Sequence, residues 1–137
     1  VAVGLGVDGS ASNDNSNLME GVRHALMMNR LIYGASAVTH LDALRWATEG
    51  SARCLGREKL GKIDPGYQAD LAMFTLDELR FSGAGDPLAA LVLCGAHRAD
   101  RVMIRGRWTV EDGMPVGIDV ARLRHDHGAV AKLFAES

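Results

Sequence analysis

Basic charge is not in surplus in this sequence: 15 Lys and Arg face 17 Asp and Glu across 137 residues, a formal net charge of −2. Without a positive field to collect phosphates along a duplex or an anionic lipid surface, nucleic acid is excluded as a partner class. Long apolar runs are also missing. Stretches such as PLAALVLC at 87–94 fall well short of the ~20 residues needed to cross a bilayer, so no membrane partner is expected. No secretory signal pattern is present. Cysteine is scarce, and Cys54 and Cys94 have no C-x-x-C neighbour. They read as two buried thiols in a reducing compartment, and a cytoplasmic location is expected. An initiator methionine is lacking too. The chain opens at Val1 in a run that already reads as a buried strand, whereas termini usually carry loose polar residues. The expectation is a portion of something larger.

The 137 residues suffice for one domain with a real core, and their order is informative. Val1, Val3, Leu5 and Val7 alternate with small residues and end at a polar loop, SASNDNSN, which suits a strand buried in a parallel sheet. From Asn17, a natural N-cap, Leu18, Val22, Ala25, Leu26, Ile32 and Tyr33 recur at helical spacing, with Glu20, Arg23 and Arg30 on the other side. Thr39 and Asp42 form a capping-box-like pair for a second helix that Gly50 is expected to end, with SARCL adding a turn before Gly56. Asp64-Pro65-Gly66 is a turn, and the residues from Leu71 to Leu76 read as a strand covered on both faces. Asp86 and Pro87 open a short helix. Two β-rich runs at 101–104 and 107–111 are separated by Arg105-Gly106, with Asp112-Gly113 closing the second. A last helix over 118–136 carries Val120, Leu123, Val130 and Leu133 on one side and is expected to dock on the surface.

Residues 4–9, GLGVDG, match the G-x-G-x-x-G fingerprint literally. In a dinucleotide-binding turn, however, the third glycine opens a helix directly. Here a polar loop intervenes, and Asp8 would set a carboxylate beside an anionic ligand. A calcium loop is a second reading, because Asp8, Ser10, Ser12 and Asp14 fall at positions 1, 3, 5 and 7. Its sixth position is then Asn13 instead of glycine and its twelfth Met19 instead of glutamate. The third reading makes Asp8 a catalytic carboxylate at the C-terminal end of a barrel strand, with Gly4 and Gly6 letting backbone or ligand come close. A plain turn or capping role for Asp8 stays open beside it.

GLGVDGSASNDNSNLMEGVRHA, GREKLGKIDPGYQADLAMFTLD and ADRVMIRGRWTVEDG together resemble the amidohydrolase superfamily, in its branch of aminohydrolases acting on purines and triazines, over essentially the whole chain. The fold this resemblance implies is α/β: the last βα unit of a metal-dependent (β/α)8 barrel, the C-terminal part of a small flanking β-sandwich, and a terminal helix. Residues 1–56 would be the barrel end, 57–117 the returning sandwich portion with an intervening helical segment, and 118–137 the terminal helix. The activity implied is zinc-dependent hydrolytic deamination of a heterocycle, with 8-oxoguanine converted to urate and ammonia as the best substrate. A triazine amino- or chlorohydrolase is the alternative. Asp8 matches the family's aspartate that touches the metal and handles protons. Ser10, Ser12 and Asn13 would fix the loop or meet the substrate. The remaining ligands, an H-x-H pair and two later histidines, and a general-acid glutamate would lie on strands preceding Val1. This chain by itself is therefore expected to be inactive, one aspartate being too few for a catalytic zinc. A small-molecule partner and a homo-oligomer are implied, and a non-catalytic, self-associating remnant is the reading from another class.

The other candidates read as structural. His125 and His127 are two apart on a helix and point to different sides, which does not suit one ion. His24, His40 and His97 fall on a polar helix side, in a first turn and in a loop. Trp46 and Trp108 read as packing residues, and Arg98 and Arg101 as surface.

Overall fold

A computed structural model describes residues 1–9, 11–95 and 98–136, so the candidate Ser10 and the loop histidine His97 lie outside the described residues. The architecture mixes helices with one antiparallel sheet. Helix α1 spans Leu18–Tyr33, with the Asn17 side chain accepting from the Met19 N–H as its cap. Only Val22 and Leu26 of its expected apolar face are buried, while Ile32 is 63% and Tyr33 71% exposed. The periodicity therefore named the right face but overstated its length, because no other element covers the C-terminal turns.

Helix α2, His40–Arg45, starts with the expected capping box: the Thr39 side chain accepts from the Asp42 N–H and the Asp42 carboxylate from the Thr39 N–H. Gly50 does not end it. The helix runs on through a π turn at Trp46–Gly50 into α3, Ser51–Cys54, and Gly50 is right-handed at φ −63°. The stop comes at Gly56, whose φ of +65° allows its N–H to reach Arg53 O while the Arg57 N–H reaches Ala52 O, a Schellman closure. Gly50 is small for another reason. A Cβ there would lie 2.1 Å from the carbonyl oxygen of Val3.

Helix α4, Pro87–Leu93, opens as expected, Asp86 accepting from the Leu88 and Ala89 N–H groups and Pro87 standing in the first turn. It packs on α1 and α2. Val22, Leu26, Ala43 and Val92 form the buried cluster, with Leu5, Val38, Leu44 and Trp46 against it.

The sheet is β1 (Leu71–Met73), β2 (Arg101–Ile104), β3 (Arg107–Glu111) and β4 (Met114–Pro115), antiparallel in that order. Both hairpin turns carry positive φ at two residues, Arg105-Gly106 and Asp112-Gly113, as tight turns between twisted strands require. A bulge between Val102 and Met103 shifts the register against β3. Contrary to expectation, β1 is not covered on both faces: its three residues are half-buried or exposed. Helix α5, Val120–Ala135, buries none of its residues, Phe134 being 78% exposed, so the expected docking is not seen. The two cysteines are free and exposed, not buried. Among the described residues, no helix is long and apolar enough to cross a membrane.

Candidate functional site

Residues 1–9 form no strand. A strand needs a neighbour to exchange backbone hydrogen bonds, and among the described residues none runs beside them; Val3 is 52% exposed. The segment is held from the helices instead. The Ser51 hydroxyl accepts from the Leu5 N–H (3.1 Å) and reaches the carbonyls of Leu5 (2.9 Å) and Trp46 (3.1 Å). A Cβ on Gly4 would meet Ser51 Cα at 2.8 Å, whereas one on Gly6 would meet nothing within 4 Å. Of the two fingerprint glycines, only Gly4 is required by close packing.

Asp8 ends this segment, exposed, with φ +64°. Its Oδ1 accepts from the Gly9 N–H at 2.7 Å, so the turn role is real. Left-handed backbone is costly for a residue with a side chain, though aspartate tolerates it better than most. No cation among the described residues pairs with it. Asn13 donates from Nδ2 to the Val7 carbonyl at 2.8 Å, and the N–H groups of Ser12 and Asn13 both point at Gly9 O. Asn13 thus fixes the loop, and Ser12 enters it through its backbone.

The loop holds a pattern that the sequence reading missed. Asn13, Asn15 and Asn17 each accept, through the side-chain oxygen, the N–H two residues further on, at 3.3, 2.9 and 3.0 Å. These are three Asx turns in series, legible in principle from the N-x-N-x-N spacing. Asn15 also donates to Glu20 in the first turn of α1. The loop between Asp8 and the helix is therefore ratcheted to the helix start.

Elsewhere the histidines stay apart from Asp8's loop. His24, His125 and His127 are exposed, the last two on α5, and Arg122 on that helix reaches Asp126 at 3.6 Å. His40 lies 3.2 Å from Asp86. Trp46 packs against the core and Trp108 lies on β3 under the Arg101 guanidinium, 5.9 Å from the ring centre. A cleft of about 900 Å3 runs between residues 56–70 and the β2–β3 turn, lined by Arg57, Lys59, Tyr67 and Arg105 among others, and includes none of Asp8, Ser12 or Asn13.

Could the residues present hold a divalent metal? Among the described residues no three His, Cys, Asp or Glu side chains come together as a ligand group. A catalytic zinc takes about three protein ligands and a water. Asp8 fits as one contributor to such a set, and the chain's own residues do not complete it.

Comparison with known proteins bears on the missing part. The sequence model described as the amidohydrolase family matches residues 1–109. The 8-oxoguanine deaminase of Pseudomonas aeruginosa is 60% identical over 129 residues, covering 94% of this chain and 29% of that protein. Among solved structures, the atrazine chlorohydrolase of Arthrobacter aurescens complexed with zinc superposes with a TM-score of 0.86 at 37% identity, over 94% of this chain and 29% of that one. An adenosine deaminase from Xanthomonas campestris with bound zinc gives 0.92 at 27% identity, over 100% of this chain and 32% of that one. The chain spans less than a third of the length of each of these three.

Proposed function

The chain belongs to the amidohydrolase family, and on that footing we propose that it is the C-terminal part of a zinc-dependent aminohydrolase whose substrate is a purine-type heterocycle, 8-oxoguanine. Residues 1–56 would end its barrel, 57–117 would return into a flanking sandwich, and 118–137 would close the chain as a helix. The 60% identity to an 8-oxoguanine deaminase is the observation that carries the substrate. For the site, the support is Asp8: an exposed carboxylate in left-handed backbone, at the end of a segment clamped to the helical core. Such an outlier motivates a functional reading.

When bound, a divalent ion would supply a water far more acidic than bulk water, its pKa brought from 15.7 to about 7. Asp8 would contribute one oxygen ligand, take a proton and return it to the departing nitrogen; a carboxylate can do both in one place. In the overall reaction the amino-bearing carbon gains oxygen from water, its C–N bond breaks, and ammonia leaves with urate as the other product. Asn13 and the Asx turns would hold the loop while the proton moves, and Ser10 and Ser12 would fix it or meet the substrate.

A triazine hydrolase is the second reading, supported by the 0.86 superposition on an atrazine chlorohydrolase at 37% identity. One experiment addresses both. The polypeptide carrying these residues together with the rest of the barrel is assayed for ammonia release from 8-oxoguanine and for turnover of an amino- or chlorotriazine, with zinc measured per chain. Turnover of 8-oxoguanine is expected, with Asp8→Ala losing about 10²–10⁴-fold in kcat. Full turnover and full zinc content in Asp8→Ala would overturn the reading. A metal-free, inactive, self-associating parent would favour a non-catalytic role.

A further inference from the structure

We propose that Ser51 is the positioning residue for Asp8, and that the π turn preceding it exists to bring its hydroxyl to the backbone of Leu5. The proposal rests on the reading of Asp8 given above.

Residues 1–9 have no ladder to set their register. Leu5 is the point where they are held twice. Its side chain packs against the buried cluster, and both its backbone polar groups reach one oxygen, Ser51 Oγ, at 3.1 Å and 2.9 Å. A hydroxyl has one hydrogen and two lone pairs. It accepts from the Leu5 N–H and shares its hydrogen between Leu5 O and Trp46 O, the latter at 3.1 Å. A single side chain thus stands in for the strand neighbour that would otherwise bond both groups.

The approach is possible because both sides have been cut back. Gly4 has no Cβ to meet the Ser51 backbone at 2.8 Å, and Gly50 has none to meet Val3 O at 2.1 Å. Two residues beyond Leu5 the chain is pinned again by Asn13, through the Val7 carbonyl, and Asp8 follows. Ser51 touches neither substrate nor metal in this scheme. It acts by fixing where the Asp8 carboxylate stands, and misplacing a reacting group by about 1 Å can cost on the order of a hundredfold in rate.

The test compares Ser51→Ala, Ser51→Cys and Asp8→Ala with the parent in the complete enzyme, alongside amide exchange at Leu5 by NMR in the 137-residue chain. Alanine favours the helix at position 51, so folding is expected to persist. The expected result for Ser51→Ala is a kcat about tenfold lower with KM within about twofold, and Leu5 exchange about tenfold faster while core amides keep their protection. The thiol of Ser51→Cys, a weaker hydrogen-bond group, should recover part of both, and it supplies the same readouts should the alanine variant fold poorly. Unchanged Leu5 exchange and unchanged kcat in Ser51→Ala, with Asp8→Ala inactive, would overturn the proposal alone. A fully active Asp8→Ala would instead remove the functional reading beneath it, and the exchange data would still report whether the hydroxyl holds the segment.

Discussion

All four residues of the buried cluster lie on α1, α2 and α4, whereas no residue of the four strands is buried. The helical group is held by apolar side chains removed from water. In the sheet, the anchoring falls to turn geometry and to carboxylates on backbone N–H groups: Asp70 accepts from the Arg105 N–H at 2.7 Å, and Asp100 accepts from that of Thr75. The difference teaches where a substitution will be felt. Volume matters in the first region and local conformation in the second.

The sharpest way to break this contrast is by truncation. Leu26→Ala should cost about 2–5 kcal/mol in denaturant unfolding, as complete removal from water plus a residual cavity implies. Val102→Ala on the half-buried β2 should cost under about 1 kcal/mol. Equal losses would mean that the sheet shares the core's energetics. Next in size is a glycine pair within residues 1–50. Gly50→Ala drives a methyl into Val3 O and should cost about 1–3 kcal/mol or expel residues 1–9 from the helices. Gly6→Ala, with open space around it, should stay within about 0.5 kcal/mol of the parent. Thermal unfolding and chemical shifts of residues 1–9 would separate the two.

The smallest effect is electrostatic and touches both regions. Hydrogen bonds hold the carboxyls of Asp42, Asp70, Asp86 and Asp100 below the ordinary value of 3.8: chiefly the Thr39 side chain for Asp42, the Arg105 N–H for Asp70, the Ala89 N–H for Asp86 and Thr75 for Asp100. A carboxyl with a depressed folded-state pKa stabilises the fold above its unfolded pKa, and this stability is lost as pH falls through the folded value. Melting temperature should therefore hold from about pH 6 to about pH 5 and drop below about pH 4. Asp70→Asn with Asp100→Asn should flatten that drop in the sheet. An unchanged acid profile in the double variant would deny these two groups a share.

What the sequence made legible was local chemistry. Asn17, Thr39 with Asp42, and Asp86 with Pro87 cap the helices they were expected to cap, because a cap depends on a few adjacent residues. The two hairpin turns are equally local, and both fall where Arg105-Gly106 and Asp112-Gly113 placed them. What failed depended on distant neighbours. Val1–Val7 alternates like a strand yet has no partner among the described residues, and the apolar side of α5 has no cover. Gly50 resembled a helix stop because glycine serves two purposes, and only the three-dimensional approach of Val3 tells them apart. At the site, Asp8 was legible as the polar end of an apolar run. Its clamp was not, since Ser51 lies 46 residues away in sequence from Leu5.

The π turn has a consequence for how this chain tolerates insertion and deletion. A π turn carries one residue more than the same length of α-helix hydrogen bonding would use. Removing a single residue from Trp46–Gly50 would restore regular winding and rotate everything after it by roughly 100° about the axis. The hydroxyl at position 51 would swing away from the N-terminal segment, while the helix itself would become more regular. In this helix, evenness of winding and grip on the first nine residues are opposed.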